Sequence, residues 1–342
     1  MATIKEIANL AGVSRGTVDR VLNKRGQVSP EKESKVLEIA KALNYTSNLA
    51  GKTLAVRKKL LKFGYILMSG TTSNPFFLDV VAGIESRATE LLDYGVNVEI
   101  RYATLSDPSL QVKLIDELLA EGISGLAITP INHPLVTDRI KKLTATGFPV
   151  VTANTDISNS GRLAYVGSDY FRSGQTAAGF MHLICGGQAK VGVVIGSPLV
   201  LCHSERLAGF TQRIEEEYRG LHIVGTEINN DDDIESYIVT KRLLESHPEI
   251  TALFLVAAGV VGACRAVDEL GLKGKLKIVS YDTTTASIDL IKSGDITVSI
   301  TQEPFVQGAK PLDILFDYVG MDIPPEKEFY YTTLGVVIKD NL

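Results

Sequence analysis

The chain contains little cysteine, with Cys185, Cys202 and Cys264 the only three in 342 residues. Their odd number and wide spacing exclude a regular disulfide framework, so we expect reduced and mostly buried thiols, as in a cytoplasmic protein. The five histidines show no metal-type spacing either. No metal site is therefore predicted.

Long apolar runs and the common catalytic motifs are also missing. No apolar segment of about 15–20 residues opens the chain, so neither a signal peptide nor a membrane span is expected. The sequence has no glycine-rich phosphate loop of either standard spacing. His203, Ser204 and Glu205 are neighbours along the chain, whereas the members of a catalytic triad converge from different segments. We therefore expect a cytoplasmic protein that is not an enzyme and needs no cofactor.

Charge is distributed unevenly along the chain. Residues 1–62 contain 13 basic and 5 acidic residues, a net charge of +8. The whole chain contains 35 basic and 40 acidic residues. Residues 63–342 therefore contain 22 basic and 35 acidic residues, a net charge of −13. A basic N-terminal segment on an acidic remainder is expected of a protein that meets a phosphate backbone at one end only.

Residues 3–22 have the pattern of two short helices joined by a glycine. Thr3 and Glu6 are spaced as a capping box, and Gly12 can adopt the left-handed conformation that ends a helix. Ser14 is a good N-cap for the second helix. The apolar residues at helical spacing are expected to face inward; they are Ile4, Ile7, Ala8, Ala11, Val18, Val21 and Leu22.

The second helix leaves a polar face off this stripe, with Arg15 and Arg20 on it, and a third helix begins at Ser29-Pro30. Three short helices with a glycine corner are typical of a helix-turn-helix unit, whose second helix lies in the major groove. An arginine there can bind guanine through O6 and N7. A plain three-helix bundle with solvated charges is the alternative. The predicted core of the third helix is Val36, Leu37, Ile39, Ala40 and Leu43.

The N-terminal segment resembles the head of the LacI/GalR family of bacterial transcription regulators. The resemblance rests on Ile4-Lys5-Glu6-Ile7-Ala8, Ala11-Gly12-Val13-Ser14, Thr17-Val18, Arg20-Val21-Leu22-Asn23, Val28-Ser29 and Leu43-Asn44-Tyr45. It implies a DNA-binding domain at residues 1–46, in which Arg15, Gly16 and Arg20 are the variable base-reading positions. The other implied DNA contacts of this domain are Thr3, Ser14, Thr17 and Asn23. Asp19 departs from the family, which usually has serine there.

Residues 47–59 follow the head and end in a basic run. By composition alone they are a linker. The family resemblance instead implies a short hinge helix that forms on the operator and enters the minor groove, with Leu54 as the wedging leucine. Asn48 and Lys52 are the other implied hinge contacts. Coupling this folding to DNA binding is physically reasonable, because so short a helix is not stable alone in water.

Beyond residue 60, short apolar runs alternate with helical patterns. This alternation predicts parallel sheets covered by helices on both faces. About 280 residues exceed one compact α/β core, so two lobes are expected. The predicted strands span residues 64–68, 96–102, 125–129, 150–153, 190–195, 221–227, 252–256, 277–281 and 297–301.

Parallel sheets place ligands at the carboxyl ends of their strands, where this chain has amides, carboxylates and aromatic side chains. Such a set suits a sugar, because its hydroxyls need polar partners and its C–H face needs a flat apolar one. Each residue alone is more often a cap or turn residue, as Asp107 and Asn132 are interpreted, and residues 231–233 are interpreted as a solvated helix start. The candidate ligand contacts are Asn74, Phe76, Phe77, Asn154, Asp156, Arg206, Asp282 and Gln302.

The body resembles the two-lobed sugar-binding proteins of the periplasm, and the resemblance implies that these candidates share one cleft. It implies that the chain crosses three times between two lobes. The first lobe comprises about residues 60–167 and 303–329, and the second comprises about residues 168–302 and 330–342. The family often has Asn-Asp after the strand at 252–256, where this chain has Ala257-Ala258. A polar partner is missing there, and Ser197, Cys202 or His203 could replace it.

The predicted protein is a homodimeric, ligand-controlled regulator that binds double-stranded operator DNA and is nucleoid-associated when bound. Its fold class is a type I periplasmic-binding-protein-like α/β body with an all-α helix-turn-helix head. Repression of a carbohydrate operon, relieved by a small sugar-like effector, is the favoured function. The alternative is an activator or corepressor-dependent regulator that senses a purine or a phosphorylated metabolite. The dimer interface is expected on helices at residues 75–92 and 241–247.

Rival classes lack support in the sequence. A periplasmic solute-binding protein would share the body but would not carry residues 1–57. A hydrolytic or nucleotide-dependent enzyme would need an activated nucleophile or a phosphate loop. Neither pattern is visible, so the basic head decides in favour of a regulator.

Overall fold

The computed structural model describes residues 3–22, 28–43, 45, 56–68 and 75–342. Most of the predicted hinge, residues 47–55, lies outside this described part. Five predicted site residues also lie outside it, namely Asn23, Asn48, Lys52, Leu54 and Asn74.

The head contains helices α1 (Ile4–Ala11), α2 (Arg15–Leu22) and α3 (Pro30–Ala42). The Thr3 hydroxyl accepts from Glu6 N at 3.2 Å and the Glu6 carboxylate accepts from Thr3 N at 2.8 Å, which confirms the capping box. Gly12 ends α1 with φ 71°, a conformation that costs glycine little. Ser14 Oγ accepts from Thr17 N at 3.1 Å and so caps α2 as predicted.

The three helices share a small core of apolar side chains. Two predicted core residues of α3 are wrong, because Leu37 is 47% and Leu43 is 36% exposed. Short helices touch through a narrow stripe, and only residues spaced by one turn fall on it. The buried residues of this core are Ile7, Ala8, Ala11, Val18, Val21, Val36 and Ala40.

The first lobe is built on a six-stranded sheet in which all neighbours are parallel. Its spatial order is β11-β5-β4-β3-β1-β2, where the strands are β1 (Lys62–Met68), β2 (Asn97–Ala103), β3 (Gly125–Ile128), β4 (Val150–Ala153), β5 (Ala164–Gly167) and β11 (Phe329–Tyr331). β3 and β4 are buried at every residue, which explains their mostly apolar sequence. The helices of this lobe are α4 (Phe76–Leu92), α5 (Pro108–Ala120), α6 (Pro134–Thr144) and α12 (Pro304–Leu315).

The second lobe has a similar sheet with one antiparallel edge strand, β12. Its spatial order is β12-β10-β9-β8-β6-β7, where the strands are β6 (Ala189–Ile195), β7 (Leu221–Ile228), β8 (Ala252–Leu255), β9 (Lys277–Tyr281), β10 (Val298–Thr301) and β12 (Gly335–Val337). Its helices are α7 (Tyr170–Ile184), α8 (Leu201–Glu216), α9 (Asp233–Ser246), α10 (Val260–Glu269) and α11 (Thr285–Lys292). The nine predicted strands correspond to β1–β4 and β6–β10, whereas β5, β11 and β12 were not predicted.

The chain crosses between the two sheets three times, as the resemblance implies. The crossings lie between β5 and α7, between β10 and α12, and between β11 and β12. β11 ends at Tyr331 in the first sheet, so the third crossing comes slightly later than the predicted boundary near residue 329. The remaining domain limits stay predictions. Within the described ranges, no helix combines the length and apolar character needed to cross a lipid bilayer.

Candidate functional site

One cavity of about 240 Å³ lies between the lobes, where the strands of both sheets end. Strands that run parallel all end at the same edge of their sheet, so side chains from distant parts of the chain meet there. Six of the predicted ligand contacts line the cavity, namely Phe76, Phe77, Asn154, Arg206, Asp282 and Gln302.

Four polar residues of the cavity have a left-handed backbone shortly after a strand. They are Asn154 (φ 67°) after β4, Asn230 (φ 49°) and Asp231 (φ 64°) after β7, and Asp282 (φ 68°) after β9. Asparagine and aspartate tolerate this conformation better than other residues with a Cβ, because their short side chains can bond locally. Each turn leads the backbone away from the sheet and leaves the polar side chain at the cavity.

Arg206 lies on α8 and is almost fully buried, with 3% of its surface exposed. Its Nη1 donates to Val256 O at 2.8 Å. The guanidinium carbon is 3.7 Å from the ring centroid of Tyr281 and 4.9 Å from that of Tyr170. Its Nε–H is buried and has no hydrogen-bond partner among the described residues. An unpaired buried donor is costly, so this group is suited to donate to a bound molecule.

The position of Arg206 depends on a close crossing of α7 and α8. A Cβ on Gly174 would lie 1.9 Å from Arg206 O, and a Cβ on Gly209 would lie 1.9 Å from Phe171 O. Neither position has room for a side chain, so both glycines are needed for the helices to approach this closely. These contacts set the depth at which the guanidinium enters the cavity.

Asp282 and Gln302 form a second polar pair at the cavity. Gln302 Nε2 donates to both carboxylate oxygens of Asp282, at 2.9 and 3.2 Å. Burial raises the pKa of Asp282 to about 6, although Arg206 and Gln302 act in the opposite direction. The carboxylate is therefore mostly ionised at neutral pH. Gln302 Oε1 is buried without a partner in the described part of the chain, so it can accept from a bound donor.

Gln307 supports these groups from α12, although the sequence did not single it out. It is fully buried. Its Nε2 donates to Gln302 O at 2.7 Å, and its Oε1 accepts from Asn154 Nδ2 at 3.0 Å. A glutamine on the inward stripe of a helix gives no sequence signal of its own, because its role depends on the loops that meet it.

The first-lobe wall of the cavity is mostly apolar. Phe76 and Phe77 meet edge to face with ring centroids 5.4 Å apart, and Met68 and Leu105 lie beside them on the same wall. The charged lining residues all come from the second lobe. The cavity therefore offers an apolar face to one side of a ligand and polar groups to the other.

Asp156 does not line the cavity, contrary to the prediction. Its oxygens accept from Arg162 Nε at 2.7 Å and Arg162 Nη2 at 2.6 Å, and from Thr152 Oγ1 at 2.7 Å. The left-handed turn at Asn154 carries the chain away before residue 156 is reached. The carboxylate is instead part of a half-buried ion pair that packs the first lobe.

Asp231 and His203 line the cavity as well. The interpretation of residues 231–233 as a helix start holds for Asp232, which accepts from Ile234 N at 2.8 Å and Glu235 N at 2.9 Å. It is wrong for Asp231, which the same strand-end rule would have identified after β7. Of the three suggested replacements for the missing polar partner, His203 and Cys202 line the cavity and Ser197 does not.

The segment from the end of β6 to the first turn of α8 reaches from the second lobe to the first. Leu199 O accepts from Asn132 N at 2.8 Å, and Cys202 N donates to Thr155 Oγ1 at 3.3 Å. Val200 and Cys202 are buried in the hydrophobic core of the first lobe. This segment therefore joins the two lobes beside the cavity.

The predicted DNA-reading residues of α2 face solvent. Ser14, Arg15, Gly16 and Arg20 are exposed, and Thr17 is partly buried. Arg20 Nε donates to Gly16 O at 3.2 Å and its Nη2 donates to Thr17 Oγ1 at 3.4 Å. Arg20 thus lies along its own helix in this structure, and its contacts with bases stay a prediction, as do those of the other head residues.

Both parts of the chain match known families. The family model "Periplasmic binding protein domain" matches residues 64–321, and "Bacterial regulatory proteins, lacI family" matches residues 3–48. A ribose import binding protein of Bacillus subtilis (strain 168) is 28% identical over 243 residues, which cover 71% of this chain and 77% of that protein. A ribose operon repressor of Halalkalibacterium halodurans is 29% identical over 287 residues, which cover 82% of this chain and 80% of that protein.

A solved structure supports the fold of the body. The ABC transporter solute-binding protein from Burkholderia graminis C4D1M in complex with D-arabinose superposes with a TM-score of 0.76 and 25% identity, covering 82% of this chain and 96% of that one. The head has the three helices and the exposed basic face expected of a lacI-family DNA-binding domain. The chain belongs to the family of periplasmic binding protein domains and carries a lacI-family DNA-binding domain at its N-terminus.

Proposed function

We propose that this regulator is a homodimeric repressor of a carbohydrate-utilisation operon and that a monosaccharide in the interlobe cavity releases it from its operator. The proposal rests chiefly on two residues that line the cavity, because each has a buried polar atom without a partner among the described residues: the Nε–H of Arg206 and Oε1 of Gln302. One lacks an acceptor and the other lacks a donor. A hydroxyl group supplies both, and a sugar carries several hydroxyls on one ring.

The shape of the cavity supports a single small sugar. A cavity of about 150 Å³ holds benzene, so about 240 Å³ suits one substituted six-membered ring. The phenyl rings of Phe76 and Phe77 offer apolar contact to the C–H face of such a ring. Two relatives also point to sugars, since one is named for the ribose operon and one solved structure holds D-arabinose.

The charge of the cavity disfavours a phosphorylated ligand, which the alternative regulator would require. Arg206 and His203 are the cationic side chains among its described lining residues, and they face the carboxylates of Asp231, Asp232 and Asp282. A phosphate would therefore meet as much repulsion as attraction. A neutral polyhydroxyl ligand fits this balance better.

The hinge is attached to the first lobe, which supports control of DNA binding by lobe movement. Val56 is buried against the first-lobe core. Arg57 donates to Asp93 O at 2.9 and 2.6 Å, and Lys59 donates to Val319 O and Gly320 O at 2.9 Å each. A ligand that closes the lobes would move these anchors in both subunits. We infer that paired hinges then separate and that the operator is released.

Exposed apolar side chains support dimerisation through the predicted helices. Leu78 on α4 is 56% exposed, and Ile234 and Ile238 on α9 are 73% and 52% exposed. A two-fold axis along these helices would cover both patches and would present two heads to the half-sites of a near-palindromic operator. We propose that this dimer acts in the cytoplasm, on nucleoid DNA, without enzymatic activity.

A ligand screen combined with operator titrations tests this function. The full-length chain should be heated with D-ribose, D-arabinose, other aldoses, polyols and purine nucleotides in separate samples. A bound sugar at 100 times its Kd adds about 2.7 kcal/mol of stability and should raise Tm by several degrees. The same sugar should weaken binding to a selected genomic site in fluorescence anisotropy. A response to purine nucleotides alone, or no salt-sensitive preference for any genomic site, would overturn the proposal.

A further inference from the structure

His203 and Asp231 form a charged pair at the wall of the cavity, and His203 lies nearly one turn before Arg206 on α8. His203 Nε2 lies 3.7 Å from Asp231 Oδ1, and the two side chains are 8% and 17% exposed. This separation exceeds a hydrogen bond. His203 Nδ1 donates to Ser197 O at 3.1 Å, which fixes the ring and leaves Nε2 towards the carboxylate.

The carboxylate of Asp231 is held by the backbone on two sides. Its Oδ1 accepts from Ala258 N at 3.2 Å, and its Oδ2 accepts from Ser197 N at 3.4 Å. The carboxylate of Asp231, a residue that follows β7, therefore lies at the end of β8. The side chains of Ala257 and Ala258 there carry no polar atoms. The oxygens of the carboxylate retain lone pairs for another donor.

Small residues create the space that the imidazole fills. A Cβ on Gly196 would lie 2.5 and 2.6 Å from ring atoms of His203 and 2.8 Å from Ala257 Cβ. A larger residue at position 196 would expel the ring from this place. The alanines after β8 and the histidine of α8 are thus two parts of one arrangement.

We propose that His203 and Asp231 form a second polar subsite, which binds a hydroxyl group of the sugar that Arg206 and Asp282 do not reach and thereby selects among sugars. This inference rests on the proposed function. One hydroxyl between the two side chains would accept from Nε2–H and donate to a carboxylate oxygen. The pair takes the place of the polar residues that are missing at positions 257 and 258.

The protonation state of the histidine agrees with this role. Burial lowers the pKa of His203, but the opposite effect of Asp231 and Cys202 is larger. The resulting pKa is raised to about 9. Both ring nitrogens therefore carry a proton at neutral pH. Hydrogen bonds to charged groups contribute more than neutral ones, so a sugar that lacks the matching hydroxyl should bind roughly 10- to 100-fold more weakly.

The test compares sugars and deoxysugars on matched variants by isothermal titration. Wild type, Asp231→Asn and His203→Gln are titrated with D-ribose, D-arabinose and the mono-deoxy analogues of whichever binds. Asp138→Asn and His222→Gln are controls of the same chemistry at exposed positions. Wild type and both controls should bind one deoxy analogue at least tenfold more weakly than the parent sugar. In the two cavity variants, the ratio of these two Kd values should fall towards one.

The outcomes separate this inference from the function on which it rests. If sugars bind wild type and both cavity variants keep the wild-type ranking of every deoxy analogue, the subsite is refuted while the proposed function stands. If no aldose binds wild type at all, the proposed function fails and the subsite fails with it. Because His203→Gln removes a charge without touching the Asp231 backbone contacts, it decides the matter should Asp231→Asn fail to fold.

Discussion

The guanidinium carbon of Arg206 lies 3.7 Å from the ring centroid of Tyr281, and this contact holds a full positive charge inside the protein. The charge is held by an aromatic face and by the backbone carbonyl of Val256. A desolvated cation over an aromatic ring gains about 2 kcal/mol. The stacking fixes the plane of the guanidinium and therefore also the direction of its Nε–H, which has no partner among the described residues.

Replacement of Arg206 by lysine should abolish the ligand response at wild-type sugar concentrations. Lysine keeps the charge but loses the planar group that stacks and donates from several nitrogens. We expect at least a tenfold loss of sugar affinity by isothermal titration, together with near-normal operator binding by anisotropy. Wild-type sugar affinity in this variant would mean that the ligand does not use the guanidinium.

Sugar affinity should depend on pH through Asp282. Its pKa in the free protein is about 6, and the ionised form is the one that accepts from ligand hydroxyls. Affinity should be constant above about pH 7 and should fall by about tenfold per pH unit well below 6, because binding must then displace a proton. Titrations at pH 5, 6 and 7 measure this. Asp282→Asn should bind the sugar weakly, and its affinity should not change with pH in this way. If the affinity of that variant falls equally steeply, the pH dependence comes from another group.

The His203–Asp231 pair should make stability depend on pH on the alkaline side. Burial and Arg206 lower the pKa of His203, but Asp231 and Cys202 raise it, from 6.5 to about 9. A raised histidine pKa contributes stability that is complete below about pH 6.5 and is lost as pH rises through 9, by roughly 3 kcal/mol at most. The Tm of wild type should therefore fall over this range more steeply than that of Asp231→Asn. Parallel curves would contradict the ion pair.

The crossing of α7 and α8 offers a matched pair of glycine variants on one helix. Gly174→Ala places a methyl group 1.9 Å from Arg206 O, whereas Gly179→Ala meets only Tyr218 Oη at 3.8 Å. The first should lower stability by about 1–3 kcal/mol through overpacking and should weaken sugar binding by displacing Arg206. The second should raise helix stability by up to about 1 kcal/mol. Thermal unfolding and sugar titration of both variants measure the contrast; equal effects would show that the helices can separate without cost.

The base-reading role of α2 is tested by comparing an arginine on α2 with a lysine on α1. Arg15→Ala should reduce discrimination at one operator position by roughly 1–3 kcal/mol. Lys5→Ala, at an exposed position of α1, should change affinity for all sequences alike. Anisotropy titrations on an operator and its single-base variants measure both. A uniform loss in Arg15→Ala would assign this arginine to the phosphate backbone.

Local patterns were enough to predict most of the elements. Strands β4 and β9 match the predicted limits at 150–153 and 277–281, because both are short segments rich in β-branched residues and are buried on both faces over most of their length. β5, β11 and β12 were missed. β11 is three residues long and half exposed, so it shows no hydrophobic alternation, although its aromatic residues favour strands. It is formed by pairing with β5, a contact between residues far apart in sequence.

The candidate site shows the same division. The rule that ligands bind after parallel strands identified Asn154, Asp282 and Gln302, since position along the chain is enough to apply it. It misplaced Asp156, because only the left-handed turn at Asn154 decides which way the next side chains face. Gln307 was missed for a related reason: its amide acts through contacts with two loops of other segments.

The sequence by itself determined the capped helices of the head, the alternation of strands and helices, the division of charge and the types of residue at the strand ends. These properties are local, since they follow from spacing, propensity and composition. Only the tertiary structure decided that Asp231 reaches the end of β8, that His203 fills the space left by Gly196, and that Asp156 pairs with Arg162. Such contacts depend on the distances between separate segments, which packing of the two cores sets and no local pattern encodes.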